Sequence, residues 1–400
     1  MSVPPHRRVL MIEQGGRGGV ADYTGELVRA LVDLGWEVEL ASADDHLYPP
    51  IPGVVVHPLF HYMRDDTALG RALRRVRLGP VVNGLRFLAS LPQLVRLSRG
   101  ADIVHSQGWE IPEIGLVAIV CMRLGGATIV QTLHGIVERS GRLTRTRQLV
   151  TRAKGWLTAS TIVHTQADVA LLPHAMRART VVIPHGEYGG LARTGGSVER
   201  AAARAQLGIG AEAPVTLIFG QLRADKGLGD LVEALARLPT LHLLIGGQDL
   251  GALSALAERL RSPELAARVT IREGFLEMAE AAQLFAAADT VALPYPGASQ
   301  SGVLLLAYGF HRPVIAYPVG GLLEAVIDGE TGWLCSRPDV DALVEALAAS
   351  IEAGAAECLR RGERGAQLAD ERFSWPAIAR RTGEVYREVL AGRAGAGNAV

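Results

Sequence analysis

At 400 residues the chain is long enough for two domains of ordinary size, and with 48% hydrophobic and 20% charged side chains it is neither disordered nor fibrous. Lys+Arg and Asp+Glu both number 41, so no global field asks for nucleic acid, and a nucleic-acid binder is excluded as the main reading. Cys121, Cys335 and Cys358 are odd in number and far apart, which speaks against a disulfide framework or a zinc site and for a reducing compartment.

The short polar start leads into an apolar run at 9–12, too short for the core of an export signal, so a cytoplasmic location is expected and the run reads as a first strand. Gly15, Gly16, Gly18 and Gly19 follow, then an amphipathic stretch at 21–34 closed by Gly35: strand, loop, helix with a glycine C-cap. Strands are expected at 37–42, 54–57, 103–105, 128–132 and 161–165, separated by helical patterns such as 114–124 and 167–172. Such alternation predicts a doubly wound parallel sheet.

After 181–184 the chain becomes a Gly, Ala and Arg mixture at 189–212, with a helix-like 198–207 and no strand pattern; the domain junction is placed here. The rhythm then restarts. Strands are expected at 215–219, 242–245, 269–271, 290–294 and 313–317, helices at 229–236, 252–260, 279–288 and 302–310, and a helical region from Val340 onward. The longest apolar stretches, such as 116–122 and 303–307, fall below the ~18 residues that span a bilayer. The expected fold class is α/β, with two Rossmann-like doubly wound domains facing across a cleft and ligands at the carboxyl ends of the strands.

Four segments could carry chemistry. Phe219-Gly-Gln-Leu-Arg-Ala-Asp-Lys-Gly227 lies between a strand and a helix, which turns Arg223 and Lys226 toward a phosphate at the sheet's carboxyl end. Lys226 and Lys154 are the only lysines among 41 cationic residues, although a solvated loop is the plain alternative. The loop Gly15-Gly-Arg-Gly-Gly19 resembles a phosphate-cradling turn; it does not fit GxGxxG, and Glu39 supports a dinucleotide reading only weakly. His134, at the end of Thr132-Leu-His-Gly135, could hydrogen-bond a sugar hydroxyl or a phosphate oxygen, or be structural. In Ala298-Ser-Gln-Ser-Gly302, Ser299 could cap a helix whose amides point at a ligand, or be a cap alone.

Taken together, these pieces resemble family 4 of the retaining glycosyltransferases, which have the GT-B fold, over nearly the whole chain. The marks are the glycine loop and Tyr23, Asp102-Ile-Val-His105, Thr132-Leu-His-Gly135, Val182-Ile-Pro-His-Gly186, Gly220 to Gly227, Gly274 after a strand, Ala288-Asp289 before Leu293-Pro294, Arg312-Pro-Val-Ile-Ala316, Gly320-Gly321 and Asp328-Gly-Glu-Thr-Gly332. Each is weak alone; their order and spacing are specific.

The resemblance implies a metal-independent enzyme with no cofactor beyond a nucleoside-diphosphate sugar, whose diphosphate is bound by an Arg/Lys pair. Lys226 matches the lysine, the usual arginine position is Gln221, and Arg223 is the substitute. A family pair of glutamates eight positions apart falls on Ala298 and Leu306, so both carboxylates are missing. Ser299, Gln300, Ser301, Gly302 and Val303 then supply donor contacts, with Gly18, Gly19, Gly220, Gly274 and Phe275 as further donor-binding positions and His134 beside Lys226 and Arg223 in the catalytic set.

The resemblance also implies retention by front-face attack, with the departing phosphate taking the acceptor proton. The domains expected are 1–187 on the acceptor side, 188–372 for the nucleotide sugar, and a helix at 373–400 crossing back, anchored by Trp375. The acceptor is a glycan, lipid-linked or small molecule.

Arginine clusters at Arg64, Arg71, Arg74, Arg75, Arg77, Arg86, Arg96 and Arg99, and at Arg139, Arg142, Arg145, Arg147, Arg152 and Lys154, could lie on an anionic leaflet at the inner face of the membrane, or be solvated helix faces. Two other functions share the architecture: a sugar-nucleotide 2-epimerase, and a catalytically silent donor-binding partner.

Overall fold

Strands that are apolar along both faces need cover on both sides, and the structure supplies it twice. A computed structural model describes residues 7–62, 79–109, 112–134, 145–187, 189–297 and 301–397. Ser299, Gln300 and the arginines of 63–78 and 135–144 lie outside these residues.

The first sheet holds β1 (Arg8–Ile12), β2 (Glu37–Ala43), β3 (Val55–Phe60), β4 (Ile103–Ser106), β5 (Ile129–Thr132), β6 (Ser160–Val163) and β7 (Thr180–Val182). Its seven strands run in the order β3-β2-β1-β4-β5-β6-β7, and every pairing is parallel. The second holds β8 (Val215–Phe219), β9 (His242–Gly247), β10 (Val269–Glu273), β11 (Thr290–Leu293), β12 (Val314–Ala316) and β13 (Gly332–Leu334), in the parallel order β10-β9-β8-β11-β12-β13. The expected pair of doubly wound α/β sheets is therefore present. In each, the order reverses beside the first strand, between β1 and β4 and between β8 and β11, and such a switch point opens a crevice at the strands' carboxyl ends.

The period of two along β1 sorts its side chains. Val9 and Met11 pack with Tyr23 and Leu27 of helix Gly19–Asp33 and with Trp375, Ile378 and Tyr386 of helix Trp375–Gly397. Leu10 and Ile12 pack on the other face with Phe87, Ile119 and Leu157, which belong to helices Gly79–Arg99, Pro112–Leu124 and Arg145–Leu157. The C-terminal helix thus belongs to the first compact unit, with the chain up to Gly186, while Glu187–Ser374 forms the second.

In the second unit Arg204, only 1% exposed, donates to the carbonyls of Ala211, Ala213 and Ala287 and to Asp289 Oδ2 at 2.9 Å. The same oxygen accepts the Val215 amide at 2.8 Å, which fixes where β8 begins.

Several elements differ from the expectation. The helix expected at 252–260 is two single turns, Ala252–Ala255 and Ala257–Leu260. The C-terminal helical region breaks at Gly354, whose φ of 78° and ψ of 174° no helix holds. Helix Gly79–Arg99 was expected only as one reading of the arginine cluster at 64–99, without bounds, and the three-residue β13 was not expected.

Candidate functional site

Three neighbouring strands of the second sheet end in glycines with left-handed backbone: Gly220 (φ 106°), Gly247 (φ 132°) and Gly274 (φ 128°). The Gly220 amide donates to Gly246 O at 2.9 Å and the Gly274 amide to Gly247 O at 3.0 Å, so the ladder runs on past the strands. A Cβ on Gly247 would lie 1.8 Å from Gly220 O. Gly247 has no room for a side chain, and the positive φ of all three positions favours glycine.

From Gly220 the chain turns through Ala224–Lys226, a single 3₁₀ turn, into helix Leu228–Arg237. Gly227 closes the turn with φ 69°, and its Cβ position is 1.9 Å from Pro294 O, so the loop lies against the chain leaving β11 across the switch point. That contact brings Lys226 onto Tyr295: Nζ is 3.9 Å from the ring centroid, and Tyr295 is buried. Burial, then the charge of Arg223, lowers the Lys226 pKa, while Asp225 opposes the shift. Burial also pushes the Tyr295 phenol up to about 12.

Arg223 is already engaged. Its Nε and one terminal nitrogen donate to the two oxygens of Asp225 at 2.9 Å each, and the other terminal nitrogen to Gln221 Oε1 at 2.9 Å. The pair raises the arginine's pKa and lowers that of Asp225, chiefly through these hydrogen bonds. Of five guanidinium N–H groups, two remain for a ligand.

Helix Gly302–Gly309 completes this end of the sheet. Its cap is Ser301, which corrects the expectation of Ser299: Ser301 has the extended backbone that precedes the first helical residue, and its Oγ accepts the Leu304 amide at 3.3 Å. Val303 Cγ2 lies 3.4 Å from the Cβ position of Gly220, so this helix N-terminus adjoins the glycine floor. Phe275 follows Gly274 and is exposed. Of the residues singled out by sequence, Gly220, Gly274, Arg223, Lys226, Ser301, Gly302 and Val303 therefore fall in one region. Tyr295 and Gly247 were missed; each follows or ends a strand beside a Pro or Gly, a signal that was available.

The first unit presents another group at its strand ends. Glu13, directly after β1, accepts the Gly15 and Gly16 amides at 2.7 Å each and the Tyr48 hydroxyl at 2.6 Å. Those two amides are therefore turned onto the protein's own carboxylate, not outward to an anion. Gly18 and Gly19 stand apart from this, with open space at their Cβ positions.

His134 sits in a cluster the sequence did not disclose. His164 Nδ1 donates to Ile183 O at 3.0 Å, and its Nε2 lies 3.1 Å from His134 Nδ1. His134 Nε2 lies 2.9 Å from Gln107 Oε1. Tyr23 packs edge-on against His134, His164 and His185, with centroids 4.7, 5.3 and 4.8 Å away. His105 bridges Tyr386 Oη at 2.5 Å and Thr132 Oγ1 at 2.7 Å. Burial drives these imidazoles down, His105 and His164 to about 3 and His185 to about 4; His134 falls well below its ordinary value through burial and then its neighbour His164. They are neutral groups able to hydrogen-bond, not fixed charges.

Among the described residues, no group of three or more His, Cys, Asp or Glu is placed to hold a metal ion. What the second unit offers is two cations, a main-chain floor and a helix N-terminus, all suited to a phosphorylated ligand.

Residues 213–353 match the family described as glycosyl transferases group 1, and residues 18–186 match the glycosyl transferase 4-like domain. The D-inositol 3-phosphate glycosyltransferase of Mycobacterium avium is 30% identical over 404 residues, covering 90% of this chain and 87% of that protein. Its namesake in Kineococcus radiotolerans is 29% identical, covering 95% and 92%. Among solved structures, Anabaena HepE in complex with UDP aligns with a TM-score of 0.73 at 20% identity, over 95% of this chain and 100% of that one. Sucrose-phosphate synthase from Thermosynechococcus elongatus aligns with 0.72 at 24% identity, over 96% and 100%.

Proposed function

The chain belongs to the family 4, group 1 glycosyltransferases of the GT-B fold, and we propose that it moves a hexose-type sugar from a nucleoside-diphosphate sugar to a hydroxyl acceptor with retention of configuration. The observation that carries this reading is Lys226, held on the Tyr295 ring beside the glycine floor, with Arg223 three residues before it. The donor's diphosphate lies along the peptide groups of Gly220 and Gly274 and the N-terminus of helix Gly302–Gly309, with Phe275 at the base. Lys226 and the two spare N–H groups of Arg223 stabilise the negative charge that grows on the leaving diphosphate.

Two side-chain cations cover the developing charge, so the reaction proceeds without a metal. The bond to the leaving oxygen breaks on the face that the acceptor hydroxyl attacks, and the departing phosphate takes the hydroxyl's proton. No covalent nucleophile and no cofactor takes part. Gly18, Gly19 and the neutral His134 contact the sugar or its phosphate from the first unit. Ser299 and Gln300, with the amides from Ser301 to Val303, replace the family's missing glutamates. The acceptor is a glycan, lipid-linked or small molecule, and the inositol phosphate of the curated relatives is the first small molecule to try.

The test is a thermal-shift panel of nucleotide sugars, UDP-glucose first because HepE was crystallised with it, on the wild type and Lys226→Ala, with and without a chelator. Stabilisation of the wild type alone, unchanged by the chelator, is expected. No stabilising donor, or equal shifts in both proteins, would sink the reading.

A further inference from the structure

One face of the first sheet is covered by three consecutive crossover helices, Gly79–Arg99, Pro112–Leu124 and Arg145–Leu157, which pack on a shared core. Gly84 of the first touches Ile114 of the second, and the second and third also adjoin. Their inward sides account for the core; their outward sides are not the polar faces a surface helix ordinarily shows.

On the first helix Val81, Leu85 and Leu88, at spacings of four and three, form an exposed stripe that continues through Arg96 and Arg99. On the second the outward stripe is Val117, Val120 and Leu124, with Leu124 85% exposed. On the third it is Leu149, Arg152 and Trp156, with Trp156 75% exposed. Stray exposed apolar residues are normal, but three adjoining stripes make a patch, and a patch implies something that covers it.

Charge says what. The whole chain is balanced, yet on the described outer surface of these three helices five arginines, Arg86, Arg96, Arg99, Arg123 and Arg152, stand against one acid, Glu113. Aliphatic side chains and an exposed tryptophan, bordered by arginines and spread over three adjoining helices, match a broad anionic surface with an apolar interior. A two-signed rim for one protein would look different.

We propose that the outer surface of these three helices docks on an anionic phospholipid bilayer, with Leu124 and Trp156 entering the headgroup region and Arg96, Arg99 and Arg152 meeting the lipid phosphates. The contact is peripheral, since among the described residues no helix is long and apolar enough to cross a membrane. It goes beyond the transfer reaction and does not rest on it.

The experiment is co-sedimentation of the full chain with phosphatidylglycerol/phosphatidylcholine vesicles and with pure phosphatidylcholine vesicles, at low and high salt, alongside Trp156 emission. Binding to the anionic vesicles at least about tenfold tighter, lost at ~0.5 M salt as screening predicts, is expected. Each of Arg96→Gln, Arg99→Gln and Arg152→Gln should weaken it about fivefold, and Leu124→Ser with Trp156→Ser at least about tenfold. All these positions are exposed, so folding and donor-induced thermal shifts should be unchanged, which separates failure here from failure of the donor assignment. Equal binding to both vesicle types, no binding at low salt, binding that survives the substitutions, or a solution dimer broken by Leu124→Ser would each overturn the proposal.

Discussion

Lys226 Nζ lies 3.9 Å from the centroid of the Tyr295 ring, so the cation that faces the proposed diphosphate is steadied by an aromatic face and not by a carboxylate. The ring holds the amine without neutralising it. Lys226→Ala should therefore lower kcat/KM by about 10²–10³, while Tyr295→Phe, which keeps the ring, should stay within about threefold. Initial-rate kinetics with saturating acceptor check both.

The lowered pKa of Lys226 has a sign that can be read in solution. In the proposed site the protonated amine binds the diphosphate, so donor affinity should hold at neutral pH and fall in alkali, beginning below the ordinary lysine value of 10.5. Lys226→Arg keeps its charge there and should show a flatter profile. Calorimetric titration across alkaline pH decides it; parallel profiles would remove Lys226 from the phosphate.

Two glycines separate folding from binding. Gly247→Ala forces a Cβ to 1.8 Å from Gly220 O at a φ of 132°, and should cost about 3 kcal/mol or more in urea unfolding of the second unit. Gly19→Ala meets nothing within 4 Å at an ordinary φ, so stability should be equal or higher by up to ~1 kcal/mol. Any loss of donor affinity in Gly19→Ala would then report a ligand approaching the main chain.

The buried imidazoles make the first unit acid-labile. His105, His164 and His185 bind protons more weakly folded than unfolded, so their contribution to stability is complete above pH ~6.5 and is lost as pH falls toward about 3–4. His134 is held down in the same way, so urea unfolding followed at several pH values should show an uptake approaching four protons as the pH falls. His105→Gln should reduce it by about one.

Asp289→Ala should destabilise the second unit by about 3–5 kcal/mol, because Arg204, 1% exposed, would keep its charge and lose its carboxylate. Chemical denaturation is the measurement.

Both sheets were legible because β8 and β11 are short apolar runs stopped by Gly or Pro and β1 is an apolar run stopped by Glu13 just before the glycine loop, and because Gly220 and Gly227 bracket Lys226 in one contiguous segment. The bounds of helix Gly79–Arg99 were hidden by its outward Val81, Leu85 and Leu88, which erase the polar face that amphipathic periodicity needs. β13 has three residues, and its Gly332 is there because a Cβ would meet Val314 O at 2.0 Å, a constraint visible only from the partner strand. At the site, the contacts between Lys226 and Tyr295 and between His134 and His164 join segments far apart in the chain, and no local pattern encodes them. The glycine loop misled in a different way. Its Gly15 and Gly16 amides looked available for an anion, but an acid placed directly after β1 captures them, and Glu13 was there to be read.

In the proposed donor site, the floor of Gly220, Gly247 and Gly274 also constrains how this enzyme can diversify. A surface made of peptide groups offers no side chains to exchange, so new donor preferences cannot be acquired there one substitution at a time. Variation has to enter at the rim, where Gln248 and Phe275 directly follow the second and third glycines and are exposed. A library built to retrain the enzyme on other nucleotide sugars belongs at those two positions.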